Sequence, residues 1–103
     1  MDESRSMSGR RHYLVSYDVS DDKRREKIFE TLKDHGDHAQ YSVFFCELNR
    51  RELSNLRSQL RGHLHSREDQ VLLVDLGLVS NPLEAGMEVL GKAYDPPVRN
   101  VVI

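Results

Sequence analysis

The sequence predicts an α+β sandwich, in which two helices cover one face of an antiparallel sheet. Two amphipathic helical segments alternate with β-rich segments in the order β-α-β(β)-α-β, and a strand-like tail follows. The 103 residues suffice for one hydrophobic core. This order is typical of a ferredoxin-like βαββαβ fold, extended here by a C-terminal strand.

The first strand is predicted at residues 12–18, where HYLVSYD is rich in β-branched and aromatic residues. The acidic pair Asp21 and Asp22 then opens a helix, because carboxylates stabilise a helix N-terminus. This helix is expected to run to about His35, with Gly36 as a left-handed C-cap. Its apolar stripe consists of Ile28, Phe29 and Leu32.

The middle of the chain carries a β-rich run and a second helix. Residues 39–48, AQYSVFFCEL, lack an internal Gly or Pro and are interpreted as one long bent strand or as two short strands. Asn49 and Glu52 have the spacing of a capping box, which opens a helix at residues 50–64. The apolar stripe of that helix consists of Leu53, Leu56, Leu60 and Leu64.

Two further strands are predicted at residues 70–77 and 98–103. Residues 78–97 are irregular, with a short strand at Met87–Leu90 as one interpretation. Apolar residues fall on both sheet faces, but no helix remains to cover the second face. We therefore expect a homodimer packed sheet to sheet, in which the C-terminal strand VRNVVI adds to the sheet of the partner.

Composition sets the domain organisation and excludes several classes of protein. Residues 1–9 are a polar leader that we expect to be disordered, and residues 10–103 form one domain. Lys+Arg number 15 and Asp+Glu 17, so bulk positive charge cannot hold nucleic acid, although a local basic face can. The lone Cys46 excludes an internal disulfide and predicts a reducing, cytoplasmic location. No apolar run approaches the ~18 residues of a membrane span, and no secretory signal is evident.

Asp18, at the end of the first predicted strand, is the first candidate for chemistry. A single carboxylate can hold a magnesium ion that keeps most of its waters, and such an ion neutralises charge on a phosphodiester. The alternative is a structural role, in which Asp18 caps the turn after the strand. Asp21 and Asp22 are interpreted as helix caps.

Four basic residues lie at the start of the first helix, where cations oppose the helix macrodipole. They are Lys23, Arg24, Arg25 and Lys27. Contact with phosphate would explain this local conflict, and a solvated face paired with neighbouring carboxylates is the alternative. Other arginines that could extend a basic surface are Arg10, Arg11, Arg50, Arg51, Arg57 and Arg61.

The histidines and the cysteine do not indicate a catalytic or metal site. His35 and His38, like His63 and His65, lack the helical i, i+4 spacing of zinc ligands. Cys46 is interpreted as a small core residue.

Three segments in order resemble the CRISPR-associated Cas2 family. They are YLVSYDVSDDKRREKIFETLKDHG, QYSVFFCEL and DQVLLVDLG, which together cover about residues 12–77. Each motif is short, but their order and spacing are specific. The resemblance implies a ferredoxin-like homodimer, metal-dependent endoribonuclease activity, action on DNA in some members, and partnership with the Cas1 integrase in spacer acquisition and antiviral defence.

The resemblance also implies roles for individual residues. Asp18 matches the family aspartate that binds Mg²⁺, with Mn²⁺ as the alternative ion, and is assigned as catalytic. Tyr17, Arg24, Arg25 and Lys27 match positions near the nucleic acid. Two positions of the S-V-F block, Ser42 and Phe44, complete the motif, and His38 stands where many relatives carry a basic residue.

Other functions remain open from the sequence. The protein could be a scaffold that holds double-stranded DNA between integrase dimers and cuts nothing, because one carboxylate per chain is few for a two-metal site. A toxin-type ribonuclease of the same fold and a small-molecule-sensing module are further alternatives. The resemblance to the Cas2 family implies a location in the prokaryotic cytoplasm, with RNA or double-stranded DNA as the partner and no membrane association.

Overall fold

The computed structural model describes residues 9–94. Apart from Gly9, the predicted leader at residues 1–9 lies outside the described residues, as does the predicted C-terminal strand at residues 98–103. The elements in chain order are β1 (Arg11–Asp18), α1 (Asp22–Lys33), β2 (Gly36–Gln40), β3 (Val43–Leu48), α2 (Arg50–His63), β4 (Gln70–Leu78) and a short 3₁₀ helix (Leu83–Gly86). The strands form one antiparallel sheet in the order β2-β3-β1-β4, which confirms the predicted fold.

Both helices begin at the predicted caps. The Asp21 side chain accepts a hydrogen bond from the backbone N–H of Arg24 at 2.9 Å, which starts α1. At α2, the Asn49 side chain accepts from the Glu52 N–H at 2.8 Å, and the Glu52 carboxylate accepts from the Asn49 N–H at 2.9 Å. The capping box is therefore confirmed. Within residues 9–94, no helix is long and apolar enough to cross a membrane.

The hydrophobic core lies between the helices and one face of the sheet. Alternate residues of β1 point toward the helices, as the strand period requires. The buried apolar side chains are Tyr13, Val15, Tyr17, Val19, Ile28, Leu32, Phe44, Cys46, Leu48, Leu53, Leu56 and Leu60. The predicted stripes of α1 and α2 are thus confirmed, with Phe29 and Leu64 packed at the margin of the core.

The structure corrects the predicted role of Gly36. This residue is the first of β2 and does not have a positive φ angle, and α1 ends at a C-cap, Asp34, in right-handed helical geometry. A β-carbon at Gly36 would lie 2.5 Å from both the Cys46 Sγ and the Phe45 carbonyl oxygen. Glycine is needed here because two strands approach closely, not because a helix ends.

The β-rich run forms two strands. Tyr41 and Ser42 make the turn between β2 and β3, although neither is Gly or Pro. This turn lies at the same end of the sheet as Asp18, because the Tyr17 N–H donates to the Ser42 carbonyl at 3.1 Å. The prediction of a short strand at Met87–Leu90 was wrong, because this segment pairs with no other strand among the described residues.

The second face of the sheet is partly covered by the chain after β4. The buried His12 donates from Nε2 to the Asn81 carbonyl at 3.0 Å, and the rings of Phe45 and Tyr94 meet edge to face with centroids 6.2 Å apart. Three apolar side chains of β4 stay largely exposed near this face, Leu72, Val74 and Leu76, while Leu78 pairs with Arg11 on the helix-facing side. The uncovered part of this face therefore lies along β4, and the homodimer packed sheet to sheet stays a prediction.

Candidate active site at the end of the first strand

Asp18 is the last residue of β1 and is exposed to solvent. Its nearest neighbour in the sheet is Gln70, the first residue of β4. Among the residues that the structure describes, no side chain bonds to the Asp18 carboxylate. The carboxylate is therefore free to take a ligand.

Tyr17 fixes the turn beside Asp18 from inside the core. Its side chain is buried, and its phenol donates to the Tyr41 carbonyl at 3.4 Å. Burial raises the pKa of the Tyr17 phenol, and the nearby Arg25 guanidinium opposes this rise. The phenol thus stays protonated near neutral pH and positions the turn, with little surface for a ligand to contact.

Arg25 braces the loop that follows Asp18. Its guanidinium donates to the carbonyls of Val19 and Ser20, at 3.1 and 3.2 Å, and pairs with the Asp22 carboxylate. This contact with Asp22, more than its proximity to Tyr17, keeps the pKa of Arg25 above its usual value. The loop is therefore tied to the first turn of α1.

Arg24 braces the other side of the site. Its guanidinium donates to both carboxylate oxygens of Asp69, at 2.7 and 3.2 Å, and to Glu68 at 3.2 Å. The hydrogen bond from Arg24 holds the pKa of Asp69 below its usual range, helped by the His65 N–H. These contacts anchor the residues just before β4, next to Asp18.

The two arginines thus hold the loops on both sides of Asp18. Whether Arg24 and Arg25 also contact nucleic acid stays a prediction. Lys27, by contrast, is exposed and lines a groove between α1 and α2 with Thr31 and His63. Its ammonium group has no bonded partner within residues 9–94.

The two residues of the S-V-F block lie behind the site. Ser42 contributes its backbone carbonyl to the bond with Tyr17. Phe44 is fully buried, and its ring packs against those of Tyr17, Phe29 and His38, with centroids 6.4, 5.6 and 4.9 Å apart. Phe44 is therefore a packing residue that supports the end of β1.

The site fits a weakly held, hydrated magnesium ion. No group of three or more His, Cys, Asp or Glu side chains within residues 9–94 could enclose a metal. Mg²⁺, however, commonly uses one or two carboxylates and keeps several waters, with substrate phosphates completing its shell. The exposed Asp18 meets that minimum requirement. Cys46 is buried, and burial raises its pKa to about 12, so its thiol is inert as predicted.

The family of the chain follows from its sequence. The family model described as CRISPR associated protein Cas2 matches residues 11–79, from β1 to the residue after β4. The chain belongs to the CRISPR-associated Cas2 family.

Cas2 relatives match over most of the chain. The CRISPR-associated endoribonuclease Cas2 of Geobacter sulfurreducens is 34% identical over 91 residues, which are 88% of this chain and 95% of that protein. A Thermus thermophilus protein named CRISPR-associated endonuclease Cas2 2 is 37% identical over 95 residues, 92% of this chain and 98% of the relative. The crystal structure of a hypothetical Thermus thermophilus protein has a TM-score of 0.73 at 37% identity and covers 86% of this chain and 100% of its own. The Streptococcus pyogenes Cas2 structure has a TM-score of 0.69 at 26% identity, and the match covers 78% of this chain and 99% of that chain.

Sequence reasoning missed the acidic partners of the Cas2 site. Glu68 and Asp69 were not singled out, although they directly precede β4 and neutralise Arg24. The charge pattern was the available signal. An acidic pair precedes β4, and a basic run follows β1, the strand that pairs with β4.

Proposed function

We propose that this Cas2 protein is a magnesium-dependent endoribonuclease of a CRISPR system, with Asp18 as its metal-binding catalytic residue. One observation carries the proposal: the Asp18 carboxylate is exposed and unbonded between two loops, each anchored by an arginine of α1. Rigid loops around a free carboxylate are the arrangement that a preorganised site needs. The names of its relatives as endoribonucleases support the reaction class.

The chain's own residues would position the substrate and its ion. When bound at Asp18, Mg²⁺ would supply charge neutralisation at the scissile phosphodiester and increase the acidity of a coordinated water. Tyr17 would hold the β2–β3 turn in place through its bond to Tyr41. Lys27 would contact the phosphate backbone through its exposed ammonium group, at a groove that carboxylates also line. Mn²⁺ would serve in place of Mg²⁺, since it also prefers oxygen ligands.

A homodimer would complete this site. The apolar strip along β4 needs a cover, and a second copy packed sheet to sheet would provide one. The C-terminal strand at residues 98–103 would then extend the partner's sheet. The dimer brings a second Asp18, which adds a second carboxylate, and it offers a symmetric platform for the Cas1 integrase in spacer acquisition. We infer a cytoplasmic site of action, which suits the single reduced Cys46.

A non-catalytic scaffold for double-stranded DNA is the second candidate. The observation that favours it is the absence, within residues 9–94, of a cluster of three metal-binding side chains. A two-metal phosphodiesterase site requires more ligands than one chain supplies here.

Cleavage by the purified dimer tests the proposal. End-labelled single-stranded RNA and duplex DNA are incubated with the protein in Mg²⁺, in Mn²⁺ and in excess EDTA. Asp18→Asn keeps the side-chain shape but removes the charge that holds the ion. We expect RNA cleavage to need the metal and to fall at least about a hundredfold in Asp18→Asn.

Asp21→Asn is the matched control, because asparagine also caps a helix and the nearby charge changes equally. This variant should cleave like the wild type. Undiminished cleavage by Asp18→Asn would refute the catalytic assignment. Lost cleavage with normal spacer integration would instead support the scaffold.

A further inference from the structure

The arginines of the described residues differ in whether they pair with a carboxylate. Ion pairs with carboxylates involve Arg10, Arg11, Arg24 and Arg25. Arg57 and Arg61 of α2 are exposed, and neither bonds to an acidic side chain within residues 9–94. Arg57 and Arg61 are therefore available to an outside ligand, as are Lys23 and Lys27 of α1.

The helical period places these charges along one line. With 3.6 residues per turn, Arg50, Ser54, Arg57 and Arg61 fall on the same side of α2. The line is about 16 Å long, because each residue advances the helix by 1.5 Å. We call the exposed pair Arg57 and Arg61 the arginine flank.

Arg57 lies on the side of α2 that is near Tyr13 of β1. Burial and Asp75 raise the pKa of the Tyr13 phenol, while Arg11 and Arg57 oppose this rise, so Arg57 lies near the paired strands β1 and β4. On the opposite flank of α2, His63 lines the groove shared with α1. The arginine flank is thus a separate surface from the basic start of α1.

This arrangement is locally unfavourable. Arg57 and Arg61 are four residues apart, where like charges on a helix repel. Glu52, the only acidic residue of α2, is already bonded to Arg10 and to the Asn49 N–H. Repulsion between two arginines that no carboxylate of the helix neutralises is expected where a ligand supplies the negative charge.

The chemistry of the surface selects the class of ligand. The exposed positions of α2 are occupied by Arg, Ser, Asn, Gln and Gly, with no apolar side chain among them. The buried centre of a protein–protein interface is typically apolar and rich in aromatic residues, and the exposed positions of α2 offer no such centre. Regularly placed guanidinium groups instead match a phosphate backbone.

We propose that the arginine flank of α2 binds the phosphodiester backbone of the nucleic acid, independently of base sequence. The inference rests on the proposed function and adds a binding surface to it. Backbone contacts of this kind position the nucleic acid and leave its sequence unread.

The salt dependence of binding tests this surface. Affinities of wild type, Arg57→Gln/Arg61→Gln and Arg57→Lys/Arg61→Lys are measured from low to high KCl, with duplex DNA and single-stranded RNA as separate probes. Losing two phosphate contacts should reduce the slope of log K against log salt by about 2 per copy on duplex, and by less on the single strand. The lysine variant keeps the charge and should retain the slope. Lys33→Gln, at the end of α1, is the control for loss of charge elsewhere.

The outcomes separate this inference from the proposed function. A reduced slope in the glutamine variant alone supports the arginine flank. An unchanged slope, with wild-type binding intact, overturns the flank and leaves the proposed function standing. Failure of the wild type to bind either probe overturns both. Circular dichroism checks the fold, and Arg61→Gln alone, with a slope change of about 1, replaces the double variant if that variant unfolds.

Discussion

The guanidinium of Arg24 donates two hydrogen bonds to the carboxylate of Asp69, at 2.7 and 3.2 Å. The Asp69 side chain is shielded from solvent and also accepts from the His65 N–H at 2.8 Å. The first turn of α1 is therefore joined to the residues before β4. Because Asp18 pairs with Gln70, this contact fixes one side of the candidate site.

Breaking the Arg24–Asp69 contact should loosen the start of β4. We expect Arg24→Gln or Asp69→Asn to speed amide hydrogen exchange in residues 65–70 at least about tenfold, because the loop loses its anchor. Glu68→Gln is the control, since Glu68 is 61% exposed and contributes one longer bond. Equal protection in all variants would show that the loop is held by other contacts.

The same contact predicts a dependence of stability on pH. Arg24 holds the pKa of Asp69 below the ordinary value of 3.8, so the unfolded chain binds the proton more readily. The stabilisation is fully present above about pH 4 and is lost as the pH falls through the lowered pKa. Urea unfolding at pH 6 and pH 3 should show the difference between wild type and Asp69→Asn shrinking at the lower pH. A constant difference would contradict the assignment.

Cys46 should be protected from alkylation in the folded protein. Its thiol is buried and its pKa is raised to about 12, so almost no thiolate forms near neutral pH. We expect iodoacetamide at pH 8.5 to react at least about a hundredfold faster in urea than in buffer. Stability should also fall between pH 9 and 12, where only the unfolded thiol ionises. Similar labelling rates in both solvents would contradict burial.

Phe44 should behave as a core residue. Phe44→Ala removes a fully buried ring and is expected to lower the free energy of unfolding by about 3–5 kcal/mol. The control is Tyr41→Ala, because the Tyr41 side chain is 85% exposed and its loss should cost at most about 0.5 kcal/mol. A small effect of Phe44→Ala on unfolding, with a large effect on nucleic-acid binding, would assign Phe44 to the ligand instead.

Deleting residues 98–103 should weaken the homodimer. The apolar strip along β4 leaves Leu72 51% and Val74 43% exposed, and the edge of β4 lacks a partner strand within residues 9–94. We expect the truncated chain to dissociate at concentrations at which the full chain is dimeric, as measured by sedimentation. Full retention of the dimer would place the contact elsewhere.

Local patterns sufficed for much of the fold. The leucines of α2 repeat at three and four residues, and the Asn49–Glu52 capping box marks the helix start, so both features could be recognised without the structure. The Tyr41–Ser42 turn could not, because hydrogen bonds from Tyr17 in another strand hold it in place of turn residues. The predicted role of Gly36 as a helix cap was wrong, because the need for glycine arises from the close approach of Phe45 and Cys46 in the paired strand β3.

The position of Asp18 was also predictable, as the last residue of a strand followed by a helix cap. The pairing of Arg25 with Asp22 was one of the alternatives open from the sequence, but the pairing of Arg24 with Asp69 was not, because it depends on which loops the fold brings together. A basic run is equally compatible with bound phosphate and with paired carboxylates 45 residues away. Only tertiary structure separates these cases.

The close approach of the strands at Gly36 limits which second substitutions could restore folding to a Gly36→Ala variant. Of the three atoms nearest to a β-carbon there, two belong to the backbone, the Phe45 carbonyl oxygen and the Cys46 Cα. Shortening the Cys46 side chain would leave both in place. In a genetic screen, therefore, a Gly36→Ala defect would find no suppressor at position 46, and glycine would remain the sole residue tolerated at the start of β2.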